Sequence, residues 1–307
     1  MIVDVDTRIW TRLEELGEEI AVSVRRLASA RWVQPDATVE AHGAATRAVD
    51  ASIVVGFRSE LLRGAVAEEA LRPIVERSEG RVFLARAVDP LRSGAAAEVE
   101  SARRDGVSAI WMDPATQGFN PSDTRAMRVF DRAEANQLPV LLGWSGPQPA
   151  SARLEFGRPY LLDEVARAFP RLSLVIGGFG APFAQETLAL LAKHDRVYTH
   201  TGGIAARPWE LLHGLQMARD MGVDSRILFA SGFPFDTPAR AIESIYGVNS
   251  LLQQSSLPRI ARSLLREIVE RDSISLLGLG AHPAPRDRAA PRSLASDGPL
   301  RLSGDAG

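Results

Sequence analysis

Short runs of apolar, β-branched residues recur along the chain, and each is followed by a segment whose apolar positions repeat at helical spacing. The runs Ile2–Asp6, Ser52–Phe57, Arg81–Val88, Val107–Met112, Pro139–Gly143, Leu172–Gly177, Arg196–His200 and Arg226–Ala230 read as strands. They are almost continuously hydrophobic, the pattern of parallel strands buried on both faces rather than strands with one wet face. Between them, Thr11–Ser29, Val66–Ser78, Ala95–Arg104, Asp123–Asn136, Leu161–Phe169, Pro182–Lys193, Trp209–Met221 and Pro238–Gln253 read as helices. Eight strands alternating with eight helices predict an α/β chain closed into a (β/α)₈ TIM barrel, with an open doubly wound sheet as the competing arrangement. A last helix, Pro258–Arg271, is expected to pack across the barrel. The periodicity is lost after Gly280, where Pro, Gly, Ser, Ala and Arg dominate. The expected organisation is thus one barrel domain over 1–280 and a disordered tail over 281–307.

Composition narrows the chemistry. The chain has 307 residues, 45% hydrophobic and 24% charged, with a formal net charge of -2. Its arginines are scattered, which leaves no electrostatic footprint for nucleic acid or an anionic membrane surface. No apolar run approaches the ~18 residues of a membrane span, and MIVDVDTRIW lacks the layout of a secretion signal. A cytoplasmic location is expected. There is no cysteine, so thiolate nucleophiles and Cys-bound metals are excluded. Any metal must be held by Asp, Glu or the five histidines.

In a barrel of this kind, chemistry gathers at the C-terminal ends of the strands. Here those ends carry Asp6 and Arg8, Arg58, Asp113, Gly143, Gly177, His200 and Gly232. Glycine offers no ligand, base or nucleophile, so a third of the mouth is chemically silent. Small substitutions at Gly143, Gly177 and Gly232 are therefore expected to be tolerated. The Gly177-Gly178-Phe179-Gly180 run lacks the spacing and lysine of a phosphate-binding loop.

Several stretches together resemble the amidohydrolase family that includes aminocarboxymuconate-semialdehyde decarboxylase and related metal-dependent hydrolases. They are MIVDVDTRIW, PATQGFNPSDTRAMRVFDRAEANQLPVLLGWSG, FGRPYLLDEVARAFPRLSLVIGGFGAPFAQETLALLAKHDRVYTHTGG, RPWELLHGLQMARDMGVDSRILFASGFPFDTP and IVERDSISLLGLG. The resemblance implies a TIM barrel that binds zinc or another divalent metal. At the positions that matter, however, this chain departs from the pattern. The family's first-strand His-x-His is Asp6-Thr7-Arg8. The metal-binding histidines closing the fifth and sixth strands fall at Gly143 and Gly177. The Asp of the Ser-Asp-Phe/Tyr-Pro-Phe stretch falls at Gly232, and the closing His-Arg-Asp becomes Glu270-Arg271-Asp272.

A hydrolytic zinc site needs about three protein ligands and an activated water. Of the inherited positions only Asp6 still offers a lone pair, and Arg8 beside it is a permanent cation. An Asp6–Arg8 ion pair filling the vacated cavity is expected, with no bound metal. Asp6, Asp113, His200 and Asp236 remain as catalytic candidates, two Asp and a His being able to hold an ion if they converge. Ordinary roles compete with each: a turn start for Asp113-Pro114, a helix N-cap for Asp236 and a hydrogen-bonded lining position for His200. His42 falls in the polar connection before the second strand, and His194 at a helix C-terminus. Arg8, Trp10, Arg58, Trp144, Phe179 and Phe233 are candidates to line a small-molecule pocket, with bulky rings filling empty space as the alternative. Two functions follow. One is an inactive barrel that binds a small ligand or pairs as a homodimer or with an active relative. The other is a hydrolase or decarboxylase of the same superfamily with a rebuilt site, with or without a metal.

Overall fold

The computed structural model describes residues 1–31, 35–253 and 255–280; the expected tail over 281–307 lies outside them. Eight strands form one parallel sheet in strict chain order: Val3–Thr7, Ala51–Val55, Val82–Ala87, Ala109–Met112, Val140–Leu142, Leu174–Ile176, Val197–His200 and Ile227–Leu228. The last strand returns to the first. Val5 N–H donates to Phe229 O at 3.1 Å, Arg8 N–H to Phe233 O at 3.0 Å and Gly232 N–H to Asp6 O at 3.1 Å. These bonds curl the sheet into a nearly closed barrel and exclude the open doubly wound sheet. Most strand residues are buried, which explains the unbroken apolar runs.

The eight outer helices expected from the sequence are present, with shifted ends. Thr11–Ser29 is broken into a 3₁₀ turn, Leu13–Leu16, and a helix, Glu18–Arg31. The eighth becomes Pro238–Gly247 followed by a 3₁₀ turn, Val248–Leu252. The terminal helix shortens to Arg262–Val269 and packs on Pro238–Gly247 and the last strand. Several short elements escaped the sequence reading, among them the helices Pro114–Gln117 and Ser273–Leu277. A two-residue hairpin pairs Arg58–Ser59 with Gly64–Ala65 beyond the second strand. A helix spans Val39–Ala45, its first turn capped by Thr38, whose hydroxyl accepts from Ala41 N–H at 3.3 Å.

That helix changes the reading of His42, which is 1% exposed rather than part of a polar connection. Thr7 Oγ1 donates to Ile53 O at 2.8 Å and lies 2.9 Å from His42 Nε2. The hydroxyl proton is already used, so the imidazole must donate from Nε2. Burial pulls the His42 pKa down to about 4. A folded-state value below the unfolded 6.5 contributes stability that is present above pH 6.5 and lost as pH falls toward 4. His42→Gln keeps a donor at that place without titrating. Its unfolding free energy is expected to fall less steeply over this window, by up to about 3 kcal/mol. Identical slopes in urea melts of the two proteins would show that His42 is not the group responsible.

Candidate functional site at the barrel mouth

The first strand sets the site. It carries a bulge, with the register against the second strand slipping between Asp4 and Thr7, and the Asp6 N–H is taken by Asp4 Oδ1 at 3.2 Å. Bulges commonly re-aim side chains near functional sites. Here Asp4, Asp6 and Arg8 are all buried, at 0%, 4% and 2% exposed. Asp4 binds the Ser231 hydroxyl at 2.5 Å and the Ser231 N–H at 3.0 Å. Burial pushes its carboxyl up to about 7 against those hydrogen bonds.

Arg8 is the centre of the mouth. Its Nη2 lies 3.3 Å from Asp6 Oδ1, Nη1 donates to Gly56 O at 3.2 Å, and Nη2 donates to Gly143 O at 3.4 Å. The guanidinium carbon sits 4.7 Å from the ring centroid of Trp111 and 4.9 Å from that of Trp144. Gly143 O also accepts from Trp111 Nε1 at 2.8 Å. Burial draws the Arg8 pKa down, while Asp6 and Asp113 hold it up. The other Asp6 oxygen accepts from Ser145 Oγ. A planar cation stacked on indoles and held by a carboxylate and two carbonyls suits arginine and not lysine.

His200 adjoins this group. Its Nδ1 accepts from Gly202 N–H at 3.0 Å and from Gly178 N–H at a long 3.5 Å, which places the proton of the neutral ring on Nε2. Burial, aided by Arg8 and opposed by Asp6, lowers its pKa. Asp113 is buried and caps the short helix Pro114–Gln117, accepting from Thr116 Oγ1 at 2.6 Å. Burial raises its pKa despite these bonds and Arg8.

The remaining expected residues divide. Trp144 joins Arg8, and Trp10 reaches the group through Phe235, at centroid separations of 6.0 Å and then 5.6 Å. Arg58 does not reach the mouth; it pairs with Glu98 of the helix Ala95–Ala102 at 3.2 Å. Phe179 packs its ring against Gly214 of the helix Pro208–Asp220. Phe233 turns to His42, 5.5 Å away. Asp236 is not the helix cap: Thr237 is, and Asp236 accepts from Thr237 N–H at 2.9 Å and sits 3.5 Å from Arg240 Nε. Sequence reasoning missed Asp4, Ser145 and Ser231. The spacing Asp4-x-Asp6-x-Arg8 was the available signal for the first, because residues two apart share a strand face.

The donors present do not fit a divalent metal. Asp6 is engaged by Arg8 and Ser145, the Nδ1 lone pair of His200 is taken by backbone N–H groups, and glycine stands at three strand ends. Among the described residues, no three His, Cys, Asp or Glu side chains are grouped to hold an ion.

A mouth built at the strand ends of an eight-stranded parallel barrel is that of a TIM-barrel protein. A family model described as Amidohydrolase matches residues 3–269, and the chain belongs to that family. An uncharacterized TIM-barrel protein from Bordetella bronchiseptica superposes with a TM-score of 0.66 at 17% identity, covering 90% of this chain and 98% of its own. An amidohydrolase from Burkholderia multivorans with bound zinc gives 0.63 at 15%, covering 91% and 99%. The 2,6-dihydroxybenzoate decarboxylase from Rhizobium gives 0.61 at 13%, covering 90% and 98%. No curated protein sequence matches the chain.

Two predictions follow from this geometry. Arg8→Ala leaves the Asp6 carboxylate buried without its cation and is expected to cost about 3–5 kcal/mol. The double change Asp6→Asn with Arg8→Met removes both charges and is expected to recover much of that loss in chemical denaturation, whereas additive losses would refute a coupled pair. The expected tolerance at the strand-end glycines is also corrected. Gly232 has φ +73, and a Cβ there meets Gly203 N at 2.9 Å, so Gly232→Ala is expected to lower stability by about 2 kcal/mol. Gly143 has φ +111, and a Cβ there makes only an ordinary contact with Gly177 at 3.6 Å, so a side chain adds backbone strain without a clash. Gly143→Ala should therefore cost less, and the reverse order in urea melts would contradict this.

Proposed function

We propose that this amidohydrolase-family barrel is a non-catalytic, metal-free member that binds a small molecule near its mouth. The observation that carries the reading is the Arg8 guanidinium, which lies at the inherited ligand position between Trp111 and Trp144 and is ion-paired with Asp6. A permanent cation at that place opposes a divalent ion through like-charge repulsion, which is costly where solvent screening is weak. It also spends the carboxylate that a metal would need. Without a metal the family's activated water is lost. General acid–base help from a side chain contributes typically ~10²–10⁴-fold, and the remaining groups are poorly placed even for that. The Ser145 hydroxyl donates to Asp6, and the His200 lone pair faces backbone N–H groups. The Ser145 hydroxyl is thus paired with a carboxylate that Arg8 already holds, and the His200 lone pair is not directed at a hydroxyl.

Binding is supported by an apolar cavity at the ends of the fourth, fifth and sixth strands, lined in part by Asp113, Gly143, Trp144 and Gly177. Its walls combine aromatic and aliphatic side chains with few polar groups, the usual make-up of a small-molecule site. The protein dialysed against zinc and then manganese, and measured by inductively coupled plasma mass spectrometry, is expected to retain far less than one ion per chain. One tightly held ion per chain would overturn the reading.

A further inference from the structure

The same cavity is small and mostly apolar. Its volume is about 100 Å³, the scale of the ~150 Å³ apolar cavity that accepts benzene in an engineered protein. It has room for a single ring. Trp144, Phe156, Leu162 and Phe183 form its walls, and Asp113 is the acidic group lining it. Leu154, 50% exposed, and the exposed Gln148 mark the side open to solvent.

The cavity lacks a free cation. Among the described lining residues the basic one is Arg158, and its guanidinium is held by Glu186, with Nε 3.1 Å from Oε1. It is stacked 4.8 Å from the Tyr160 ring and 5.4 Å from the Phe183 ring. Arg8, one layer deeper, is committed to Asp6, Gly56 O and Gly143 O. An anion entering this space is stripped of water and meets, as counter-charge, a guanidinium already paired with Glu186, on a wall that also carries Asp113. A neutral ring meets only apolar walls and the Trp144 indole.

Resting on the ligand-binding reading above, we infer that the ligand is an uncharged single-ring molecule and that carboxylates are rejected. The test uses the full chain with phenol and benzoate as probes, at a pH where phenol is neutral and benzoate ionised. Binding is read by ligand-observed NMR and by the shift in melting temperature. Phenol is expected to bind about tenfold or more tightly than benzoate. Ala115→Leu, which fills the cavity, is expected to abolish phenol binding. Glu186→Gln, a change on the surface that releases Arg158, is expected to raise benzoate affinity and leave phenol affinity unchanged. Benzoate binding wild-type protein as tightly as phenol, or no phenol binding by folded protein, would overturn the inference. So would a Glu186→Gln variant indifferent to benzoate. The metal content of the same samples separates the two readings. Phenol binding by a metal-loaded chain refutes only the metal-free reading, and a metal-free chain that ignores phenol refutes only the ligand class.

Discussion

A guanidinium buried between two indole rings is the interaction around which the mouth of this barrel is arranged. Taking a charge of that size out of water is expensive, and the loss must be offset locally. Arg8 meets the requirement with a carboxylate at 3.3 Å, two backbone carbonyls and two aromatic faces. The partners come from four parts of the barrel. Asp6 lies on the first strand, Gly56 follows the second, Trp111 ends the fourth, and Gly143 and Trp144 follow the fifth. One side chain thus ties together the ends of several strands.

The glycines become intelligible from the same arrangement. Gly143 presents its carbonyl to both Arg8 and Trp111 with φ +111. Gly232 brings the end of the last strand close to Gly203 and Ser145. At Gly143 and Gly232 the chain makes close backbone approaches. These serve barrel closure and the seating of Arg8, and they also leave the space that becomes the apolar cavity beside Gly143 and Gly177. The mouth is thereby organised by packing and shape around Arg8.

Much of the fold was legible in the chain because strand burial and helix amphipathicity leave strong periodic signals. All eight strands and the helices between them were readable. The helix Val39–Ala45 was not, because seven residues containing a glycine and a β-branched start carry too little periodicity. The hairpin at Arg58–Ser59 is shorter than any pattern. At the site, the Asp6–Arg8 pair was readable because a carboxylate and a guanidinium stand beside each other at the end of the first strand. The outward turn of Phe179 and Phe233 was not. Phe179 sits at φ +57, so its side chain leaves the backbone in a direction that strand or helix alternation does not give. Arg58 was misread for a related reason: its partner Glu98 is 40 residues away, and only the folded layer of helices brings the two together.

The seating of Arg8 is most directly tested by ¹H–¹⁵N NMR of the arginine Nε–H groups. Arg8 Nε is buried and has no hydrogen-bond partner among the described residues, and its guanidinium lies over two indole rings. The expected spectrum holds one Nε–H resonance, missing in Arg8→Lys, that is shifted upfield by ring currents and persists at alkaline pH when the others exchange with water. If every arginine Nε–H resonance appears at ordinary shifts and exchanges rapidly, Arg8 is not seated between Trp111 and Trp144, and the mouth is open to other chemistry.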